Sequence, residues 1–247
     1  YRATHSGGTN FAYELGVRQV TPEQKQNLDL SSWYSAYNGA EPVRPETLAQ
    51  FSDAFACCGF RSSFFYPCYG LAESTLMVAG GGVENEPVCC QVEAEALEKN
   101  TLVESASKDL AKTRNLIGCG KGWLDTKILI VDPDCLTPCE NGQVGEIWLS
   151  GSSVTQGYWN RTEETKQTFG AYLSDRDGPF LRTGDLGFLK DGELFVTGRL
   201  KDLIIIRGRN YYPQDIELTV EKSHPSLRPN CGAAFALEIG GREQLAI

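Results

Sequence analysis

The sequence predicts an α/β layer followed by a small β-rich subdomain, and three observations carry that prediction. From residue 11 to 78, apolar positions recur at helical spacing between short strand-like runs. From Trp123 onward, the runs 127–131, 146–149 and 193–197 have β-type composition and are separated by Asn141-Gly142 and Asp191-Gly192, dipeptides suited to tight turns. At 247 residues and 41% hydrophobic content, the chain can bury a substantial core as one large domain or two modest ones.

In order along the chain, residues 45–55 read as a helix with Pro45 near its start, where a missing amide costs nothing. The apolar run Phe64-Phe65-Tyr66 reads as a strand, and Gly80-Gly81-Gly82 breaks the chain. Residues 94–112 mix helix formers with Glu and Lys, which places an exposed insertion at 83–118 anchored by Val92, Leu97, Leu102, Val103 and Leu110. The β-rich subdomain spans 119–200. A last apolar run at 203–206 precedes the turn Arg207-Gly208-Arg209-Asn210, and a helix begins near Asp215. Tyr1 has no leading tail and Ala246-Ile247 stops within a strand-like run, so a piece of a longer protein is expected.

Composition narrows the function classes. The 32 acidic and 23 basic residues give a net charge of -9, which leaves nucleic-acid binding without an electrostatic footprint. No run approaches the roughly 18 apolar residues of a membrane span, and the first residues lack a signal-peptide core, so the expected compartment is the cytoplasm. The nine cysteines are an odd number without a metal-ligand pattern; reduced, mostly buried thiols are expected, with Cys135 and Cys139 in a loop. His5 and His224 are each isolated among turn residues, which favours structural roles.

Three motifs carry possible chemistry. Tyr69-Gly70-Leu71-Ala72-Glu73-Ser74-Thr75 follows a strand-like run, at the kind of strand end where ligands of open α/β sheets gather. An aromatic ring followed by Gly can stack on a purine, and a carboxylate just beyond can hold a magnesium ion against phosphates. The same heptapeptide also fits a helix N-terminus with Glu73 near its dipole. Arg182-Thr183-Gly184-Asp185-Leu186-Gly187 sets a carboxylate in a Gly-flanked turn, able to accept two ribose hydroxyls or simply to make a polar turn. Gly198-Arg199-Leu200-Lys201-Asp202 adds a guanidinium and a charged pair, or a solvated turn, before an apolar strand.

Together with GEIWLSGSSVTQGYW at 145–159, this ordered series resembles the core motifs of the adenylate-forming superfamily of acyl-CoA synthetases, adenylation domains and luciferases. Residues 5–15, 211–217, 224–229 and 231–235 make the chain more specifically similar to fatty acyl-AMP ligases, over essentially its whole length. The resemblance implies part of a large N-terminal domain, its α/β layer at 1–118 and a barrel-like β subdomain at 119–200. A hinge and the start of a small α+β C-terminal lid would follow at 201–247. It also implies ATP-dependent activation of a fatty acid to an acyl-adenylate, with Mg2+, and transfer to the phosphopantetheine of an acyl carrier protein. Carried onto this sequence, Asn38, Gly39, Ala40, Glu41 and Pro42 would line the adenine, with Tyr69 and Gly70 against the base. Glu73 would hold the metal, Asp185 the ribose hydroxyls and Arg199 the ribose or phosphate. Lys201 would be the hinge, and Asn10, Phe11 and Tyr13 would border the acyl pocket.

In that family the insertion is thought to pin the lid and disfavour CoA as acceptor. Ala72 stands where many superfamily members have a phosphate-binding Thr, and a small residue there suits the ligase branch. The phosphate loop and the lid's catalytic lysine would lie outside this chain, which alone is expected to be inactive. The rival readings are an acyl-CoA synthetase, an amino-acid adenylation domain, or a nucleotide-binding module without turnover.

Overall fold

A computed structural model describes the chain from Arg2 to Ile247, apart from residues 84, 108, 110, 111, 207, 208, 240 and 241 and the side chains of 238, 239, 242 and 243. The expected anchor Leu110 and the turn residues Arg207 and Gly208 therefore lie outside the described residues. The first sheet has five strands in the order His5–Gly8, Ser35–Asn38, Phe65–Leu71, Leu76–Gly80 and Lys121–Gly122. The first three run parallel, the fourth is antiparallel to the third, and the fifth is antiparallel to the fourth. Helices Asn10–Gln19 and Pro45–Phe55 cover this sheet, and the second has the span its sequence predicts.

An aromatic cluster holds the helices to the sheet. Phe51 meets the rings of Tyr13, Trp33, Phe60 and Phe65 in edge-on geometry, with centroids 4.9 to 6.2 Å apart. Such contacts add about 0.5–1.5 kcal/mol per pair beyond area burial. Tyr13 is buried here and donates its hydroxyl to the Tyr37 carbonyl at 2.6 Å; burial drives its pKa well above the ordinary phenol value.

The second sheet is antiparallel, in the order Glu193–Arg199, Leu181–Lys190, Gly145–Ser150 and Lys127–Val131. Alternation turns Ile147, Leu149, Leu181 and Leu194 inward onto Tyr69, Val78 and Ala79, so the two sheets share a core. Residues 94–112 are less helical than their composition suggests. Among the described residues the helix there is only Ala94–Leu97, between the paired strands Cys89–Glu93 and Thr113–Ile117. Val92 and Leu97 are buried with Phe188, Phe195 and Tyr212, while Val103 is exposed. Packing of this flap onto the second sheet, rather than helix propensity, decides its conformation.

Two further hairpins, Ile204–Ile206 with Arg209–Tyr211 and Phe235–Ile239 with Arg242–Ala246, flank helix Pro213–Ser223. None of the nine free cysteines is in a disulfide, but only Cys58, Cys90 and Cys119 are buried, fewer than expected, because most of the others fall in turns and edges. No described helix is long and apolar enough to cross a membrane.

Because Phe51 is the hub of the aromatic cluster, Phe51→Ala should destabilise the full-length protein by about 3–5 kcal/mol, read from urea unfolding. A loss under about 1 kcal/mol would mean that the cluster collapses around the gap.

Candidate functional site

The parallel strands Ser35–Asn38 and Phe65–Leu71 release their chains side by side, with Asn38 opposite Pro67. The segment 39–42 and the Tyr69-Gly70 pair thus emerge together at the sheet's C-terminal edge, the place where open α/β sheets take ligands. Ala40 turns this segment with φ 67°, a left-handed conformation that costs a non-glycine residue about 1–2 kcal/mol. Asn10 braces it from below. Its amide donates to the Pro42 carbonyl at 2.9 Å, and its oxygen accepts from the Arg44 amide at 3.0 Å and from Asn38 at 3.3 Å.

The Tyr69 motif occupies a strand and a tight turn rather than a loop or a helix start. The strand runs to Leu71, Ala72–Ser74 forms a 3-10 turn, and the chain returns antiparallel from Leu76. Gly70 is required by that pairing, since a Cβ there would lie 1.6 Å from the Leu76 carbonyl oxygen.

Asp185 lies inside the long strand Leu181–Lys190, where pairing with Gly145–Ser150 is interrupted between Arg182 and Leu186. Gly184, with φ 71°, makes the break. The buried Asp185 carboxylate accepts from the Tyr69 hydroxyl at 2.7 Å and from Arg199 Nε at 3.1 Å. Burial raises its pKa; the Tyr69 hydrogen bond and the Arg199 charge only partly offset this, and the Glu73 carboxylate adds a smaller push upward. Burial and the Asp185 charge likewise hold the Tyr69 phenol protonated.

A residue that the motif reading passed over holds this turn. Glu146, 2% exposed, accepts from Arg182 Nη2 at 2.7 Å, Trp148 Nε1 at 2.9 Å and the Gly184 amide at 3.1 Å. A lone acidic residue in the apolar run Gly145–Ser150 was its sequence signal.

Ala40, Glu41, Pro42, Tyr69, Gly70, Asp185, Arg199 and Lys201 line a single cleft of about 610 Å³. Gln214, Glu217, residues 234–236, Cys68 and Cys119 also line it. Asn38 and Gly39 lie just behind the lining, with the Asn38 carboxamide oxygen buried and lacking a protein partner among the described residues.

Glu73 is outside the cleft lining. It is half-buried, its carbonyl accepts from the Thr155 amide at 2.8 Å, and its carboxylate accepts from the Tyr158 hydroxyl at 2.6 Å. Asn10, Phe11 and Tyr13 do not reach the cleft either: Asn10 and Tyr13 are buried framework and Phe11 is 44% exposed on the surface of its helix. His5 bonds Thr4 and His224 caps the turn at Ser226, both local structural contacts.

Two sets of contacts seat the C-terminal segment. On one side Arg209 pairs with Glu98 at 3.5 Å, Asn210 bonds Asn100 at 3.1 Å, and Arg114 pairs with Asp215 at 3.0 Å, all reaching the 83–118 insertion. On the other, Asn230 accepts from Arg44 at 3.0 Å and donates to Glu14 at 2.8 Å.

A family model described as AMP-binding enzyme matches residues 1–159. The medium-chain fatty acid acyl-carrier-protein ligase JamA of Moorena producens is 56% identical over 249 residues, covering 100% of this chain and 42% of that protein. A structure from studies of fatty acyl-adenylate ligases from E. coli and L. pneumophila superposes with a TM-score of 0.87 at 36% identity, over 99% of this chain and 42% of that one. The L. pneumophila fatty acyl-adenylate ligase in complex with acyl adenylate and pyrophosphate gives a TM-score of 0.78 at 45% identity, over 99% and 43% of the two chains. This chain therefore spans well under half the length of these relatives.

Two outcomes follow from the buried carboxylates. Arg182→Met leaves Glu146 buried with its main counter-charge gone, and should cost about 3 kcal/mol in urea unfolding. Asp185, with its folded pKa raised, contributes stability below its unfolded pKa that is lost as pH rises through the folded value. The wild type should therefore lose stability relative to Asp185→Asn as pH rises above about 4, the ordinary Asp value, and a flat difference would refute the raised pKa.

Proposed function

The chain belongs to the AMP-binding enzyme family, and on that footing we propose that the full-length protein joins a fatty acid to AMP and passes the acyl group to a carrier-protein thiol. The observation that carries this reading is the convergence of Tyr69, Asp185, Arg199 and the 40–42 segment on one cleft. The names of the relatives support the choice of acid and acceptor. The proposed organisation is a nucleotide-binding body at 1–200, divided near 118, with a lid from 201, acting in the cytoplasm.

In this reading the fatty carboxylate oxygen attacks the α-phosphorus of ATP, the new O–P bond replaces the bond to pyrophosphate, and pyrophosphate leaves. Residues 40–42 and the Tyr69 ring hold the adenine. Asp185 takes the ribose hydroxyls, its carboxylate being held by the Tyr69 hydroxyl and Arg199 Nε. Arg199, bonded to Asp185 through Nε, has no further partner among the described residues and can donate its remaining N–H groups to ribose or phosphate. Catalysis then rests on positioning two anions rather than on covalent help.

A magnesium ion suits Glu73. Mg2+ keeps several waters and phosphate oxygens and needs only one or two protein carboxylates, and no cluster of three acidic, Cys or His ligands occurs among the described residues. When bound it would offset repulsion between the phosphates and the incoming carboxylate. Lys201, exposed in the 3-10 turn Leu200–Asp202, would be the pivot about which the lid turns for the transfer step.

The insertion favours carrier protein over CoA, because Glu98, Asn100 and Arg114 hold the lid from one side. Full-length protein given ATP and a fatty acid should acylate holo-acyl carrier protein, read as a mass shift, and form little acyl-CoA. Efficient acyl-CoA formation, or amino-acid-dependent pyrophosphate exchange, would overturn the reading. Removing the tether with Glu98→Ala and Arg114→Ala together should raise acyl-CoA formation while leaving fatty acyl-adenylate formation close to wild type.

A further inference from the structure

The proposed reaction leaves the segment 151–159 without a task, yet this segment grips the Glu73 turn. The Thr155 amide donates to the Glu73 carbonyl at 2.8 Å, the Thr75 hydroxyl donates to the Ser153 carbonyl at 2.6 Å, and the Ser74 and Ser153 hydroxyls meet at 3.0 Å. Those contacts suffice to dock the two segments. The remaining one is different in kind, because the Tyr158 hydroxyl reaches past the backbone to Glu73 Oε1 at 2.6 Å. It fixes a side chain, not a loop.

Tyr158 is itself held at both ends. Its amide donates to the Thr165 hydroxyl at 2.9 Å, and its ring stands edge-on to Phe169 at 5.2 Å; both partners lie on helix Thr162–Phe169. Gly157 permits the approach: it has φ 136°, and a Cβ there would lie 2.1 Å from Thr165 Cγ2. The Gln156-Gly157-Tyr158 sequence thus sets a phenol hydroxyl at a fixed point beside the turn.

We infer that Tyr158 is a positioning residue that orients the Glu73 carboxylate toward a divalent cation on the nucleotide phosphates, an inference that rests on the proposed metal role of Glu73. The hydroxyl engages Oε1, and Oε2 has no partner among the described residues, which leaves it to face a cation or a cation-bound water. Without Tyr158, a half-buried glutamate would sample several rotamers and would have to be ordered when the metal arrives. Outer partners of metal-binding carboxylates act in this way, by fixing ligand orientation before binding.

The test uses Mn2+ as an EPR-visible probe, binding to full-length protein with a non-hydrolysable ATP analogue and no turnover. Tyr158→Phe keeps the ring and its contact with Phe169. It should raise the Mn2+ dissociation constant about tenfold, with the melting temperature and metal-free analogue affinity unchanged. Glu73→Gln separates the two ideas. If it weakens Mn2+ binding while Tyr158→Phe stays within about twofold of wild type, the Tyr158 inference is overturned and its hydroxyl only anchors the loop. If Glu73→Gln leaves Mn2+ binding intact, the metal role of Glu73 falls, and the Tyr158 inference with it.

Discussion

The Asp185 carboxylate is the joint on which the cleft depends. One of its oxygens accepts from Tyr69 on the first sheet and the other from Arg199 on the neighbouring strand of the second sheet. It therefore ties together the two layers whose shared core lies directly behind it. Burying that charge is unfavourable, as its raised pKa records, and the two partners offset only part of the penalty. A buried carboxylate with donors arranged around it on the lining of a cleft is a candidate binding group.

The turn that presents Asp185 rests on a second buried carboxylate. Glu146 has its counter-charge and two further donors in place, including the Gly184 amide at the break in strand pairing. The same arrangement recurs at smaller scale beneath residues 39–44, where Asn10 takes up the Pro42 carbonyl and the Arg44 amide. Polar groups with satisfied partners thus set loop conformations to which apolar packing is indifferent, because a buried polar atom is costly unless its geometry is met. The 83–118 insertion and the Asn230 contacts extend this logic to the C-terminal segment, which is held by several modest polar contacts and ion pairs. Contacts of that kind are individually weak and can be exchanged.

Much of the scaffold was legible in the chain itself. Helix Pro45–Phe55 and strand Lys127–Val131 have the spans that their composition and turn signals indicate, and Gly145–Ser150 and Glu193–Arg199 extend their predicted cores by only a residue or two. The insertion was less legible: its Glu- and Lys-rich run suggested more helix than the four residues Ala94–Leu97, because pairing of Cys89–Glu93 with Thr113–Ile117 overrides local propensity. The Tyr69 motif was expected just past the strand-like run at 64–66, whereas the strand continues through Leu71, and its turn into Leu76–Gly80 was not visible locally.

Sequence by itself determined the residue types, their order and the periodicities that select an α/β layer and a β-rich unit, since these are local properties of the chain. The motifs around Tyr69, Asp185 and Arg199 could be named from it, and with them the family. Only the tertiary structure decided which of these residues meet. Tyr69 and Asp185 are far apart in sequence and bonded in space, Glu146 became visible as the brace of the Asp185 turn, and Tyr158 as the partner of Glu73. Asn10 and Tyr13, expected beside the acyl chain, are buried and hydrogen-bond the Pro42 and Tyr37 carbonyls. The physical reason is that hydrogen-bond partners across a fold are fixed by sheet order and register, and no local pattern encodes the register between distant strands.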